Sequence, residues 1–185
     1  MKALIIVDML NDFVTGKLAC ERAQRIIPNI SRLADASRRA GDIVVYSNDA
    51  HLPEIDAEFK IWGPHAVAGT HGARVIAELT PHAGDLVVPK RRYSGFFGTD
   101  LNLVLQEHGV RSVVLTGLHT NICVRHTAAD AFLHGYEIFV PENGVESFTE
   151  KDHVEGLDYL KRVYGARITT ADDLVRSTLA ERKTA

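Results

Sequence analysis

The chain is poor in cysteine, has no run of basic residues and contains no long apolar stretch. Cys20 and Cys123 are far apart and neither belongs to a Cys-x-x-Cys pair, so the sequence indicates neither a disulfide framework nor a zinc ribbon. The formal net charge of -3 gives no sign of a nucleic-acid or anionic-membrane partner. No apolar segment approaches membrane-spanning length, and we therefore expect a reduced-thiol protein without membrane or nucleic-acid partners.

The remaining composition is typical of one globular domain. Hydrophobic residues make up 45% of the 185 residues and charged residues 24%, which allows a sizeable core. There is no internal repeat, low-complexity segment or linker, so we predict a single domain over residues 1–185. The chain reaches Asp8 too soon for the apolar part of a signal peptide, which predicts a cytoplasmic location.

Short apolar runs alternate along the chain with longer amphipathic segments. The predicted strands are residues 3–7, 43–48, 85–88, 112–116, 137–140 and 166–169. The predicted helices are residues 21–40, 73–79, 99–108, 121–134, 150–164 and 171–180. This alternation predicts an α/β fold with a doubly wound, mostly parallel sheet of about six strands and helices on both faces.

Chemically able side chains follow the ends of four predicted strands. Asp8 follows the first strand, Asp49 and His51 the second, Lys90 the third and Cys123 the fourth. The carboxyl ends of parallel strands meet at one edge of a sheet, and ligands bind beyond that edge. We therefore expect these side chains to lie close together.

Cys123 lies where an apolar run turns through a glycine and a polar corner into an Ala-rich helix. Thr120 or Asn121 can act as the N-cap, which places Cys123 in the first helical turn. Free backbone N–H groups and the helix dipole stabilise a thiolate there, so the position favours a nucleophile. A buried core cysteine fits the same position, because free cysteine is among the most buried residue types.

Asp8 and Lys90 supply the groups that a nucleophilic thiol needs. We expect Asp8 to be partly buried and held ionised by Lys90. A carboxylate beside a thiol can accept its proton and later donate it to a leaving amine. Alternatively, Asp8 caps the following turn and Lys90 pairs with a surface acid, but their common placement at strand ends favours a triad with Cys123.

A second group of polar side chains lies in the long irregular segment of residues 49–72. Its members are Asp49, His51, Glu58 and His65. A carboxylate and two imidazoles, with Glu58 bound directly or through water, suit zinc, iron or manganese. Solvated loop residues are the alternative, since nine histidines in one chain bring some near carboxylates by chance.

Three segments resemble the signature segments of the isochorismatase-like cysteine hydrolases. They are DMLNDF at residues 8–13, KRRYSGF at 90–96 and TGLHTNICV at 116–124. Within this family, the set Asp49, His51, Glu58 and His65 is similar to the metal site of nicotinamidases. Leu10 departs from the pattern, because many members carry glutamine there.

The resemblance implies a role for each residue of the predicted triad. Cys123 would attack an amide carbonyl and form a thioester, while Asp8 would take the thiol proton and give it to departing ammonia. Lys90 would be the electrostatic partner of both groups. The backbone N–H groups of His119 and Cys123 would hold the oxyanion, with a cis peptide bond between Leu118 and His119.

The resemblance also implies how a substrate is held. A divalent transition metal, zinc or else iron or manganese, would bind a pyridine nitrogen and orient the ring. Phe13, Trp62 and Tyr93 are candidate walls that stack on a flat substrate, although ordinary packing explains these aromatic residues equally well. Family members often form dimers or tetramers, so we expect a homo-oligomer.

The leading hypothesis from the sequence is a nicotinamidase, which converts nicotinamide to nicotinate and ammonia. Another amidase of the same family, acting on a carbamoyl, ureido or other small planar amide, is the nearest alternative. A phosphohydrolase of doubly wound fold is more distant, because Leu10 stands where a second acid is needed and Cys123 would be idle. A non-catalytic binding protein that kept the fold is the remaining alternative.

Overall fold

The computed structural model describes residues 1–181, so residues 182–185 of the predicted domain lie outside the described part of the chain. The strands are β1 Lys2–Val7, β2 Ile43–Asp49, β3 Leu86–Lys90, β4 Ser112–Leu118, β5 Glu137–Pro141, β6 Val145–Glu146 and β7 Arg167–Thr169. The α-helices are α1 Asn11–Val14, α2 Ile27–Ala40, α3 Phe59–Trp62, α4 Leu101–Glu107, α5 Cys123–Leu133, α6 Glu150–Tyr164 and α7 Ala171–Glu181.

All strands in this part of the chain form one parallel sheet. The strand order is β3-β2-β1-β4-β5-β7, and β6 pairs with the end of β4. The predicted α/β fold with a doubly wound sheet is confirmed. The sheet has seven strands instead of about six, because β6 has only two residues and is too short to leave a periodic pattern.

The central strands are buried on both faces, which places helices on both sides of the sheet. In β1, Leu4 and Ile6 pack in one apolar cluster together with side chains of α2 and α7. Their neighbours Ile5 and Val7 pack in a second cluster with side chains of α4, α5 and α6. Successive side chains of a strand point to opposite faces, so a continuous apolar run serves both clusters.

Two predicted helices differ from the structure. The predicted helix at 21–40 is interrupted: a short 3-10 helix, Glu21–Arg25, precedes α2. Pro28 lies at the start of α2, where its missing N–H is not needed, so the α-helix begins there.

The prediction of a helix at residues 73–79 is wrong, because only Ala77–Leu79 form a short 3-10 helix. The preceding residues are drawn into extended pairing with the segment after β1, as in the bridge between Leu10 and Val75.

Strands β1 and β4 approach each other closely at Gly117. Asp8 follows β1, and the turn that leads to Cys123 follows β4. This glycine has φ +97°, and a Cβ atom on it would lie 2.0 Å from the carbonyl oxygen of Val7. Both the backbone conformation and the lack of space require glycine here. Gly117 therefore permits the end of β1 and the end of β4 to lie side by side.

We also asked whether the chain contains a membrane-spanning helix. Among the helices of residues 1–181, none is both long enough and apolar enough to cross a bilayer.

We predict that Gly117→Ala lowers the free energy of unfolding by about 3 kcal/mol or more, because it combines an unfavourable φ with a clash against backbone. Urea unfolding measures this cost. Gly109→Ala is the matched control, since Gly109 has φ +64° but open space around its Cα. It should cost only about 1–2 kcal/mol for the left-handed backbone. Equal losses in the two variants would contradict the close-approach explanation.

Candidate active site and metal centre

The predicted strand-end residues meet at the carboxyl edge of the sheet. The ammonium of Lys90 lies 2.7 Å from Oδ2 of Asp8 and 2.6 Å from Oδ1 of Asp49, and its side chain is fully buried. Asp8, Asp49 and Cys123 each offer a side-chain atom within 4.8 Å of the other two. The structure therefore brings together the three residues of the predicted triad, with Asp49 as a fourth member.

Asp8 is almost completely buried, not partly buried as the sequence indicated. Its Oδ1 accepts a hydrogen bond of 2.7 Å from the backbone N–H of Asp49. Burial and the nearby Asp49 carboxylate raise the pKa of Asp8 to about 6, despite the opposing effect of Lys90. A carboxyl with a pKa so close to neutrality can both take up and release a proton under physiological conditions.

Cys123 is the first residue of α5, but neither residue predicted as its N-cap has that role. The N-cap is Ile122, which offers no side-chain hydrogen bond. Thr120 pairs with His153 at 3.0 Å, and the side chain of Asn121 accepts a hydrogen bond from Ser147 at 2.6 Å. These polar side chains bind residues that are distant in the sequence, in α6 and directly after β6, which sequence periodicity does not reveal.

The thiol of Cys123 is not ionised by its position alone. Burial raises its pKa well above the usual value, and the neighbouring Lys90 only partly offsets this. The expectation that the helix start makes this thiol ionise more readily is therefore wrong for the free protein. A base is needed to remove the proton, and Asp8 is the adjacent group that can do so.

The turn between β4 and α5 has the backbone conformation that the sequence resemblance implies. The peptide bond between Leu118 and His119 is cis. The backbone N–H groups of Ile122 and Val124 donate to the carbonyl oxygen of His119, at 2.9 and 3.2 Å. These bonds fold the turn tightly and place His119 and Cys123 on the same cavity wall.

The four residues of the predicted metal cluster also come together. Asp49, His51, Glu58 and His65 are all buried and offer ligand atoms that lie within 4.8 Å of one another. Nε2 of His51 lies 3.5 Å from Oδ2 of Asp49 and 3.8 Å from Oε2 of Glu58. The cluster is therefore a compact set of two imidazoles and two carboxylates.

Backbone pairing closes the loop that carries this cluster. The N–H of His51 donates to the carbonyl of Ala66 at 3.0 Å, and the N–H of Ala68 donates back to the carbonyl of His51 at 2.9 Å. The buried carboxylate of Asp12 accepts a further hydrogen bond from the N–H of Ala66 at 2.8 Å. These bonds hold His65 beside His51 although the two are separated by a long irregular segment.

The donor set fits a divalent transition metal. Both ring nitrogens of His51 and Oε1 of Glu58 are buried and have no hydrogen-bond partner among residues 1–181. Burial and the charge of Asp49 raise the pKa of Glu58 to about 7, despite the opposing effects of His51, Lys90 and Arg92. A divalent cation would satisfy the unpartnered atoms and offset the buried negative charge.

Three members of the cluster, Asp49, Glu58 and His65, line the same cavity as Cys123. Its lining includes all three predicted aromatic walls: Phe13, Trp62 and Tyr93. The indole N–H of Trp62 donates to the hydroxyl of Tyr93 at 3.0 Å, which fixes both rings.

Sequence reasoning missed other members of this cavity. They are Leu18, Ile122, Phe148 and the side chain of His119. Phe148 stacks on the imidazole of His119 at a centroid distance of 4.0 Å and on Trp62 at 6.3 Å. It follows the two-residue strand β6, where no periodic pattern marks a residue as part of a site.

Comparisons with known proteins identify the family that this chain resembles. The isochorismatase domain family matches residues 2–173. The chain is similar to N-carbamoylsarcosine amidase from Thermoplasma acidophilum, with 44% identity, a TM-score of 0.87 and coverage of 92% of this chain and 96% of that one. Nicotinamidase PncA from Bacillus subtilis gives 38% identity, a TM-score of 0.87 and coverage of 91% and 98%. Pyrazinamidase of Pyrococcus horikoshii, solved in complex with zinc, gives 32% identity, a TM-score of 0.85 and coverage of 91% and 98%.

We predict that Lys90→Met lowers the free energy of unfolding by about 3–5 kcal/mol, because it leaves two buried carboxylates without their cation. Chemical denaturation of the metal-free protein measures the loss. Lys151→Met is the matched control, since Lys151 is exposed and its nitrogen lies 3.8 Å from Glu155. It should leave stability almost unchanged. A small loss for Lys90→Met would show that the ion pairs do not hold this edge together.

Proposed function

This chain belongs to the isochorismatase family, and from that premise we propose that it is a cysteine-dependent amidohydrolase, with nicotinamidase as the best supported activity. The observation that carries the proposal is one small cavity lined by both Cys123 and the metal-type cluster of Asp49, Glu58 and His65. A nucleophile beside a metal suits a flat amide whose ring carries a nitrogen. The reaction converts nicotinamide and water to nicotinate and ammonia.

In the first half of the reaction, Asp8 takes the proton of the Cys123 thiol as the sulfur attacks the amide carbonyl carbon. The carbon–sulfur bond forms and the carbonyl oxygen becomes an oxyanion. When the carbonyl re-forms, the carbon–nitrogen bond breaks and Asp8 gives its proton to the leaving nitrogen. Ammonia departs and a thioester remains on Cys123.

In the second half, water hydrolyses the thioester. Asp8 accepts a proton from the attacking water, and the carbon–sulfur bond breaks to release the carboxylic acid product. The sulfur then recovers a proton from Asp8. The ammonium of Lys90, 2.7 Å from Asp8, stabilises the negative charge that passes between the carboxylate and the sulfur.

Backbone donors and the cavity walls complete the proposed site. The N–H groups of His119 and Cys123 hold the oxyanion in both halves of the reaction. Phe13, Trp62 and Tyr93 contact the faces of a planar substrate. These groups fix the carbonyl carbon against the sulfur, which lowers the entropic cost of the attack.

The metal in this proposal is zinc, or else iron or manganese. Asp49, His51 and His65 would hold it, with Glu58 bound directly or through water. When bound, it supplies a Lewis-acid position for the ring nitrogen of the substrate. The fit of the donor set and the zinc-bound pyrazinamidase among the similar structures support this assignment.

A second candidate is an amidase for carbamoyl or ureido compounds. One feature of the cavity favours it: Nε2 of the buried His119 side chain has no hydrogen-bond partner in the part of the chain that the structure describes. A substrate with more polar groups than a simple aromatic amide would satisfy this atom. The phosphohydrolase hypothesis gains no such support, because Leu10 is fully buried in the apolar core where a second acid is needed.

We further propose that the protein acts in the cytoplasm as a homodimer or homotetramer. Large apolar side chains remain exposed on the single chain, among them Ile61, Phe97 and Leu133. Ile61 and Phe97 flank a groove beside the cavity that contains Cys123. Burial of such side chains against another copy would remove apolar surface from water.

We predict that Cys123→Ala lowers the rate of amide hydrolysis by about 10⁴-fold or more, since it removes the nucleophile. Ammonia release and circular dichroism together separate lost chemistry from lost folding. Cys20→Ala is the matched control, because Cys20 is equally buried but lies in the apolar core outside the cavity. Substantial turnover by Cys123→Ala would rule out the thioester mechanism.

We predict that ammonia release is faster from nicotinamide and pyrazinamide than from benzamide, which lacks a ring nitrogen. Removal of the metal with a chelator should weaken this preference, and added Zn²⁺, Fe²⁺ or Mn²⁺ should restore it. The same assay with carbamoyl and ureido compounds tests the second candidate. Equal rates on nicotinamide and benzamide before and after chelation would remove the metal from substrate recognition.

A further inference from the structure

The loop that carries the metal-type cluster contains one more buried carboxylate, which is not among the four candidate ligands. Asp56 lies between His51 and Glu58 in the sequence, and its side chain is fully buried. Its Oδ2 accepts a hydrogen bond of 2.7 Å from the backbone N–H of Leu52. The position of this carboxylate is therefore fixed within the loop.

Asp56 faces the side of His51 that points away from the cluster. Its Oδ2 lies 3.3 Å from Nδ1 of His51, which makes no hydrogen bond to the residues that the structure describes, whereas Nε2 of the same ring is directed at Asp49 and Glu58. A neutral imidazole binds a metal through Nε2 only when its proton is on Nδ1. The group that faces Nδ1 is an acceptor without a proton to offer, so it favours that tautomer.

Two arginines compensate the charge of Asp56 from the other side. Nε of Arg91 lies 3.1 Å from Oδ2, and Nη1 of Arg92 lies 2.9 Å from Oδ1. Both arginines follow directly after Lys90 at the end of β3. The carboxylate is thus held between cations and His51, and it does not need a proton from His51 to be stable.

The second imidazole of the cluster has a comparable but uncharged partner. Nδ1 of His65 lies 2.8 Å from the backbone carbonyl oxygen of Gly63. Each of the two histidines therefore has an oxygen atom of its own loop near Nδ1: that of Gly63 is within hydrogen-bond distance of His65, and the charged one of Asp56 lies 3.3 Å from His51. Acceptors of this kind orient metal-binding histidines and increase their basicity.

We propose that Asp56 is a positioning residue for the metal centre: it keeps the proton of His51 on Nδ1 and directs Nε2 toward Asp49 and Glu58. This inference rests on the proposed function for its metal site. Asp56 is not a ligand itself, and it acts on the metal only through His51. Arg91 and Arg92 connect this arrangement to the strand that carries Lys90.

The test is the dissociation constant for Zn²⁺, measured by competition with a chromophoric chelator. Asp56→Asn keeps the size of the side chain but replaces the charge with an amide that can donate to Nδ1. We expect it to weaken Zn²⁺ binding by about 10–100-fold. The absorption spectrum of the Co²⁺-loaded protein should also change, because the orientation of His51 is altered.

Two comparisons separate positioning from a merely structural role. Arg92→Met removes a cation from the same carboxylate but keeps the contact with His51, so Zn²⁺ binding should change by less than about threefold. In a His51→Ala background, Asp56→Asn should have no further effect, because the residue through which it acts is gone. Thermal unfolding of the metal-free variants reports any general loss of stability.

The inference is overturned if Asp56→Asn binds Zn²⁺ as wild type does, if Arg92→Met weakens binding equally, or if the effect persists without His51. Nicotinamide hydrolysis, measured in parallel, separates this inference from the proposed function. Zn²⁺ binding that depends on Asp56 in a protein that does not hydrolyse nicotinamide would contradict the activity and keep the positioning role. A wild-type protein that binds no Zn²⁺, Fe²⁺ or Mn²⁺ would overturn the inference whatever its activity on nicotinamide.

Discussion

One buried ammonium connects the two parts of this site. Lys90 lies between Asp8, which stands beside the thiol, and Asp49, which belongs to the metal-type cluster. Burial of three such charges is unfavourable unless each is paired, so the positions of all three side chains depend on one another. The three strands that carry them are neighbours in the sheet, in the order β3-β2-β1. The register of these three strands therefore sets the distances between Lys90, Asp8 and Asp49.

Burial also raises the pKa values of both Asp8 and Cys123. A thiol whose pKa is raised is stable as the neutral species until a base acts on it, whereas the carboxyl beside it has a pKa of about 6. In the proposed reaction, the thiol would stay neutral until Asp8 takes its proton. This arrangement differs from a permanently ionised thiolate, which oxidants attack more readily.

The fold and the close approach of the polar strand-end residues could be predicted from the sequence. The burial of these residues and the side chains that surround them could not. Strand ends in a parallel sheet lie at one edge, so Asp8 and Lys90 could be placed together from the pattern of apolar runs alone. The burial of Asp8 and the failed helix at 73–79 both follow from contacts between distant segments. Phe148 was missed for the same reason, since only the tertiary fold brings it to the cavity. Tertiary packing overrides local preference at such positions.

The proposed catalytic residues and the metal-type cluster differ in how their members are distributed along the sequence. The proposed catalytic residues come from three separate strand ends, whereas the metal-type ligands all lie in one continuous segment from Asp49 to His65. The backbone bridge between His51 and Val67 closes the loop that contains this segment. If the proposed roles are correct, one insertion or replacement in this segment would change the group that recognises the substrate and leave Asp8, Lys90 and Cys123 in place. Asp49, whose carboxylate also binds Lys90, limits how freely such an exchange could occur in evolution.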